Sequence, residues 1–273
     1  MNDKYRFDIV IIGAGIVGLA IANEVSKVYK NVLVIEKEKA FGQHTSSRNS
    51  EIIHSGIYYP KEALKTKLCV EGNRLLYEFL AIHKIPHRKC GKLIVANSPG
   101  DESALETLYQ QGVENGVSDL SLISKKEAKE YEPSVRASRA ILAPSTGIVD
   151  SHSLMRRLEQ KSIEQDVIFS YNTEINKIFK KNDTYELTVD NEEVIIETEV
   201  LINSAGLWSD RVSDMAGITG YKIHWNKGEY FKTTRYKNMN KLIYPVPDPK
   251  GKYLGIHTVM DLDGNISFGP NSY

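Results

Sequence analysis

The chain has 273 residues, 41% of them hydrophobic and 26% charged, with 35 basic side chains against 35 acidic ones. That length gives one large or two modest globular domains, and the composition excludes a disordered or fibrous chain. Zero net charge removes the electrostatic footprint that nucleic acid demands, so no nucleic-acid partner is expected.

In chain order, Phe7 to Ile12 reads as a buried strand, Ile16 to about Lys27 as a helix and the β-branched run Val32 to Ile35 as a second strand. Strand, helix, strand in so short a stretch is a βαβ unit, which forces a parallel pair with a right-handed crossover. Residues 43–60 form a polar loop rich in Gly and Ser. Glu62 to His83 reads as a long helix with an apolar face of Leu64, Leu68, Leu75, Leu76, Phe79 and Leu80. A strand at Lys92–Ala96 and a helix at Glu102–Asn115 follow, and Ser124 with Glu127 forms a capping box for a short helix. After a helix from about His152 to Gln165 the texture turns to short strands: Ile168–Ser170, Glu174–Phe179, Tyr185–Val189, Val194–Glu197 and Val200–Asn203. A short helix from Trp208 to Met215 precedes a strand-like, proline-bearing remainder from Tyr221 to Tyr273. The last strand-like run has no closing helix or polar tail, so an element is expected to be cut off there.

Two cysteines, Cys69 and Cys90, are too few for a disulfide framework or a zinc site, and the scattered histidines make no metal cluster. The most apolar stretch, Ile9 to Ala22, is too short for a membrane span and is broken by Gly13, Gly15 and Gly18. The expectation is a soluble cytoplasmic protein, with peripheral attachment to the inner face of a membrane left open.

The chemistry concentrates first in Gly13-Ala14-Gly15-Ile16-Val17-Gly18. Here the G-x-G-x-x-G string follows a strand, opens a helix and is completed by Glu36 at the tip of the next strand. Gly13 permits the tight turn, Gly15 admits a pyrophosphate to the backbone, and Gly18 lets helix and strand pack closely. The helix N-terminus offers unpaired N–H groups and a partial positive charge to the anion. Glu36 can accept hydrogen bonds from ribose hydroxyls and would repel a 2′-phosphate, which disfavours NADP. The competing interpretation is a glycine turn that binds nothing, and strand, helix and acid together argue against it. The string alone does not separate NAD from FAD. Two features favour FAD: the extreme N-terminal position, and the loop after Glu36-Lys37 containing Thr45, Ser46, Ser47, Arg48, Asn49 and Ser50, suited to wrapping a pyrophosphate and a ring system.

Several further strings are more specific. They are Asn49-Ser-Glu-Ile-Ile-His-Ser-Gly-Ile-Tyr-Tyr59, Lys67-Leu-Cys-Val-Glu-Gly72, Cys90-Gly-Lys-Leu-Ile-Val95, Thr146-Gly-Ile-Val-Asp150, Ala205-Gly-Leu-Trp-Ser-Asp210, Tyr244-Pro-Val-Pro-Asp248 and Gly269-Pro-Asn271. With the N-terminal fingerprint they resemble the L-2-hydroxyglutarate dehydrogenase/oxidase family, a branch of the D-amino-acid-oxidase-like flavoproteins, in the family's order from end to end. The resemblance implies an α/β fold: a Rossmann-type FAD-binding domain (1–84 and 146–219) with a discontinuous α+β substrate domain (85–145 and 220–273) carrying a mostly antiparallel sheet. It implies FAD-dependent oxidation of a 2-hydroxy acid, L-2-hydroxyglutarate first. The sequence leaves the electron acceptor open among oxygen, a quinone and a carrier flavoprotein. Some family members have His where this chain has Arg48. The family also continues beyond the Gly-Pro-Asn string into a segment returning to the FAD domain, so the chain is expected to be truncated.

Oxidising a secondary alcohol needs a base for the hydroxyl proton and cations or donors for the carboxylates. His54 is the first candidate base and His257 the second, because imidazole accepts a proton near neutrality. Arg48, Tyr58, Tyr59 and Lys227 are candidate carboxylate holders. Ala205, Gly206 and Trp208 resemble the superfamily's second cofactor-contacting turn, and Ile175 is a candidate backbone contact for adenine. Two other readings stay open: an amino-acid or glycerol-3-phosphate oxidase of the same superfamily, and an inactive flavin-binding remnant.

Overall fold

A computed structural model describes residues 3–189, 194–237, 239–247 and 255–272. The chain divides into two compact units, each assembled from two separated segments: Met1–Asn49 with Ser151–Trp225, and Ser50–Asp150 with Asn226–Tyr273.

The first unit opens with β1 (Asp3–Ile12), α1 (Ile16–Val25) and β2 (Val32–Ile35). The chain then builds most of the second unit: β3 (Ile52–Ile53), α2 (Leu64–Ile82), β4 (His87–Arg88), β5 (Lys92–Ala96), α3 (Pro99–Glu114), β6 (Ser121–Ser124), α4 (Lys125–Tyr131), β7 (Arg139–Ala143) and β8 (Gly147–Val149). It returns to the first unit as α5 (Ser151–Ile163), β9 (Ile168–Ser170), β10 (Ile175–Lys181), β11 (Thr184–Val189), β12 (Val194–Asn203) and α6 (Ser209–Met215). The second unit is completed by β13 (Gly228–Lys237), β14 (Leu242–Pro245), β15 (His257–Met260) and β16 (Asn265–Ser272).

The first unit's sheet has the order β10-β11-β12-β1-β2-β9. β12, β1, β2 and β9 run parallel, and the β10–β11 hairpin adds antiparallel to β12. All four residues of β2 are buried, as expected for a central parallel strand covered on both faces. β12 is one strand where two are expected. Thr198 lies at its middle, fully buried, and its hydroxyl is satisfied at the carbonyls of Asp8 and Val200, so the polar residue needs no turn.

In the second unit, β14-β5-β7-β6 form a sheet that is antiparallel except for the β14–β5 pair. β13-β16-β15 and β3-β8-β4 are antiparallel throughout. The mostly antiparallel second unit agrees with the expected α/β architecture. Every residue of β5 is buried. Leu93 and Val95 pack on one face with Ile123 and Leu142, and Ile94 and Ala96 on the other with Ile57, Leu105 and Tyr244. Strand alternation puts Lys92 on the Ile94 side.

Three local expectations are corrected. Helix α3 starts at Pro99 rather than Glu102, because Ser98 and Asp101 cap each other's backbone and Pro occupies the first turn. The apolar face assigned to α2 is largely exposed: Leu64, Leu68 and Leu75 are 68%, 56% and 47% accessible. Its inward side instead carries Thr66 and Leu80, fully buried, with Asn73 and Tyr77 reaching carbonyls of neighbouring loops. Finally, the boundary between units falls at Asn49/Ser50, not after residue 84. Residues 52–59 pack in the second unit because β3 pairs with β8 and because Gln111 of α3 and Asn115 at its C-cap donate to the carbonyls of Gly56, Ile57 and Tyr59.

Candidate functional site

The first unit contains a cavity of about 680 Å³ at the C-terminal ends of β1, β2 and β12, within the usual range for a small-molecule pocket. Its floor is the glycine turn. Gly13 has φ +101°, and a Cβ there would stand 2.6 Å from the Ser204 carbonyl oxygen. Gly18 does not line the cavity. A Cβ on it would lie 2.0 Å from the Gly13 carbonyl oxygen, so its role is the close helix–strand packing the motif requires. Gly15 opens α1 as its N-cap, and the hydroxyl of Ser46 accepts the Ile16 N–H at 3.0 Å. The hydroxyl loop therefore lies over the helix N-terminus.

Glu36 directly follows β2 and accepts the N–H groups of Ala14 and Glu38 at 2.8 and 2.9 Å. Those two bonds fix the carboxylate at the strand tip and leave acceptor capacity for hydroxyls. On the far side, Ser204 donates to the carbonyls of Ile12 and Gly13, and the Asn203 side chain ties Ala205 to Ser209. This steadies the Ala205-Gly206 turn at the cavity wall. The Trp208 ring carries the Lys37 ammonium 3.3 Å from its centroid and meets His44 edge-on, while His44 bonds Glu38 at 2.7 Å.

Of the residues expected to bind the nucleotide, Gly13, Gly15, Glu36, Lys37, Ser46, Asn49, Ile175, Ala205, Gly206 and Trp208 line this cavity. Ser47, Arg48 and Ser50 do not, and Ser50 belongs to the second unit. Arg48 is exposed and donates to the carbonyl and hydroxyl of its neighbour Ser47. Sequence reasoning missed His44, Thr173, Ser204 and Arg211, which also line it. Ser204, which directly precedes Ala205 after the predicted strand Val200–Asn203, was the detectable one. A diphosphate-bearing nucleotide fits this donor set: bare glycine backbone, a helix N-terminus, hydroxyls and one carboxylate.

The second unit gathers a different group. His54, half-buried in the loop after β3, is pushed down to about 3 by burial, with the positive charge of Lys92 next in weight and smaller contributions from His257 and Lys65. His257 is 6% exposed. Its Nδ1 donates to the Gly255 carbonyl at 2.8 Å, which leaves Nε2 to accept the Tyr230 hydroxyl at 3.3 Å. The ring stacks on Tyr244 with centroids 4.0 Å apart. Burial lowers its proton affinity too, the Gly255 bond opposing this and Lys92 reinforcing it. The Tyr58 hydroxyl is buried and has no hydrogen-bond partner. Tyr59 carries Lys65 over its ring, and Lys227 is exposed and paired with Glu229 at 2.7 Å, an ordinary surface ion pair. Lys92 went unnoticed in the sequence because it reads as the polar first residue of a strand.

A parallel Rossmann-type sheet with a glycine turn, a strand-tip acid and a pocket at the strands' carboxyl ends defines a dinucleotide-binding oxidoreductase fold. Residues 8–273 match the family described as FAD dependent oxidoreductase. The chain belongs to that family, whose cofactor is FAD, and the resemblance to L-2-hydroxyglutarate dehydrogenases holds along its length. It is 37% identical to the mitochondrial L-2-hydroxyglutarate dehydrogenase of Arabidopsis thaliana, covering 98% of this chain and 62% of that protein. The Caenorhabditis elegans and Homo sapiens proteins of the same name are 38% and 37% identical, covering 99% and 97% of this chain and 64% and 61% of theirs. The chain thus spans a little over three-fifths of these relatives. Among solved structures, L-α-glycerophosphate oxidase from Mycoplasma pneumoniae with FAD bound superposes with a TM-score of 0.91 at 28% identity, covering 98% of this chain and 72% of that one. Glycine oxidase from Geobacillus kaustophilus, at 0.84 and 18% over 98% and 72% of the two chains, shares the fold. The expected cytoplasmic location is corrected by these comparisons, since all three relatives are named as mitochondrial. A neutral net charge and the lack of a spanning helix among the described residues do not discriminate one aqueous compartment from another.

Proposed function

We propose that this protein oxidises L-2-hydroxyglutarate, or a close 2-hydroxy acid, to the corresponding 2-oxo acid. The observation that carries this reading is the match to three L-2-hydroxyglutarate dehydrogenases over essentially the whole chain. The FAD adenosine diphosphate would lie on Gly13, Gly15 and Ser46, with Glu36 toward the ribose, Ile175 beside the adenine and the Ala205-Gly206 turn as a second contact. When bound, the flavin supplies the hydride acceptor, N5.

The chain's own residues supply binding and proton chemistry. His54 takes the substrate hydroxyl proton on its free imidazole, which is uncharged across the neutral range because burial and nearby cations hold it deprotonated. His257, kept in the Nδ1–H tautomer by Gly255, is the alternative base. Tyr58 and Tyr59 are proposed to face the substrate. Arg48 and Lys227, both exposed and locally engaged, are weaker candidates.

A glycerol-3-phosphate substrate is the second reading, supported by the likeness to the Mycoplasma enzyme. An anaerobic panel separates them: bleaching of the flavin spectrum by L-2-hydroxyglutarate and not by glycerol 3-phosphate or amino acids supports the first, and the reverse ends it. Reoxidation by oxygen, a short-chain quinone or a carrier flavoprotein then identifies the electron acceptor.

A further inference from the structure

The second unit buries a lysine that no structural partner explains. Lys92 is 1% exposed, and among the described residues no carboxylate lies within ion-pair reach of it. Its ammonium stands 3.9 Å from the centre of the Tyr244 ring and 5.0 Å from that of Tyr58. The ionisable groups facing it are His54, His257, Cys69 and Cys90, together with the Tyr58 and Tyr244 hydroxyls. Lys65 adds a second positive charge near His54. None of these is an anion at neutral pH. Burial raises both thiols and both phenols above their ordinary values. The cluster therefore holds positive charge, one unpartnered buried hydroxyl on Tyr58 and nothing to neutralise it.

We propose that Lys92 is the counter-ion for an oxyanion of the substrate, a carboxylate under the reading above, with the Tyr58 hydroxyl as its hydrogen-bond donor. This rests on the proposed function and assigns its missing specificity group. A buried ammonium lacking a partner is expensive, and an apolar side chain of the same length would cost less. A carboxylate drawn into the aromatic cage removes that penalty, in surroundings where a charge pair is strong. It also cancels the repulsion that Lys92 exerts on His54 and His257. Arrival of the substrate anion thereby strengthens the base that is to take the hydroxyl proton.

The test uses the flavin-loaded full chain and glutarate, a dicarboxylate with no hydroxyl to oxidise. Calorimetry measures binding to the wild type, K92M and Y58F, and lysine labelled with carbon-13 at Cε reports the Lys92 titration. Glutarate is expected to raise the Lys92 pKa by about one pH unit or more. K92M, which keeps the volume and should fold, is expected to bind glutarate about tenfold or more weakly at unchanged flavin content. Equal affinity in K92M and wild type, an unmoved Lys92 titration at saturating glutarate, or no anion binding to the wild type would each overturn the proposal. If glycerol 3-phosphate rather than glutarate binds and moves the Lys92 titration, the counter-ion role stands while the hydroxy-acid reading falls.

Discussion

Two glycines of one motif do different work, and substitution separates them. In Gly18→Ala the new Cβ would meet backbone at 2.0 Å, which nothing can relieve without moving α1 off β1. A loss on the order of 3 kcal/mol is expected in urea denaturation. In Gly15→Ala the Cβ meets only the Ser46 hydroxyl at 3.0 Å, so stability should hold within about 1 kcal/mol while flavin retention falls. His54 and Lys92 give pH signatures of the same sign in different windows. The folded-state pKa of His54, about 3, is below its ordinary 6.5, so its contribution is intact above 6.5 and is lost as pH falls toward 3. His54→Gln should flatten that part of the acid limb in a melting-temperature series. Lys92, lowered from 10.5 to about 7 by burial, destabilises the fold increasingly as pH falls from 10.5 to 7, and fully below that. K92M should therefore be the more stable protein at neutral pH, by roughly a few kcal/mol, the gap closing as pH rises to 10.5.

At the scale of elements, what was legible was what is local or periodic. β1, α1 and β2 were plain because a β-branched run, a glycine turn and a second run leave one solution. α2 was found, but its orientation was misread. The leucine stripe suggested the buried side, whereas the helix turns Asn73 and Tyr77 inward to carbonyls of His54 and Ser145. Hydrophobic periodicity cannot register a helix whose inward task is hydrogen bonding. Leu68→Lys together with Leu75→Lys should accordingly change stability by only about 0.5 kcal/mol in chemical denaturation. Asn115 is the opposite case, a polar residue near a helix end whose amide serves Gly56, Ile57 and Tyr59. Asn115→Ala should cost roughly 2 kcal/mol and, by loosening the loop of His54 and Tyr58, raise KM more than a surface change of equal cost. The nucleotide residues were legible because their motif is contiguous. Lys92 was not, since a lysine opening a strand gives no sign of its burial until Tyr58 and Tyr244 are brought around it by the fold.

At the scale of the whole molecule, each unit is woven from two stretches of chain, and β1 is clasped by β12 from Asp3↔Val194 to Ile12↔Asn203. The central strand of the nucleotide unit thus lacks one neighbour until most of the polypeptide exists. During synthesis the ribosome releases β1 long before β12, and the intervening residues 50–150 must settle elsewhere in the meantime. Such long-range closure makes folding slow and leaves an apolar strand edge open to wrong pairing. A nascent chain halted short of residue 194 should therefore cling to chaperones and carry no flavin, whatever the state of its glycine turn.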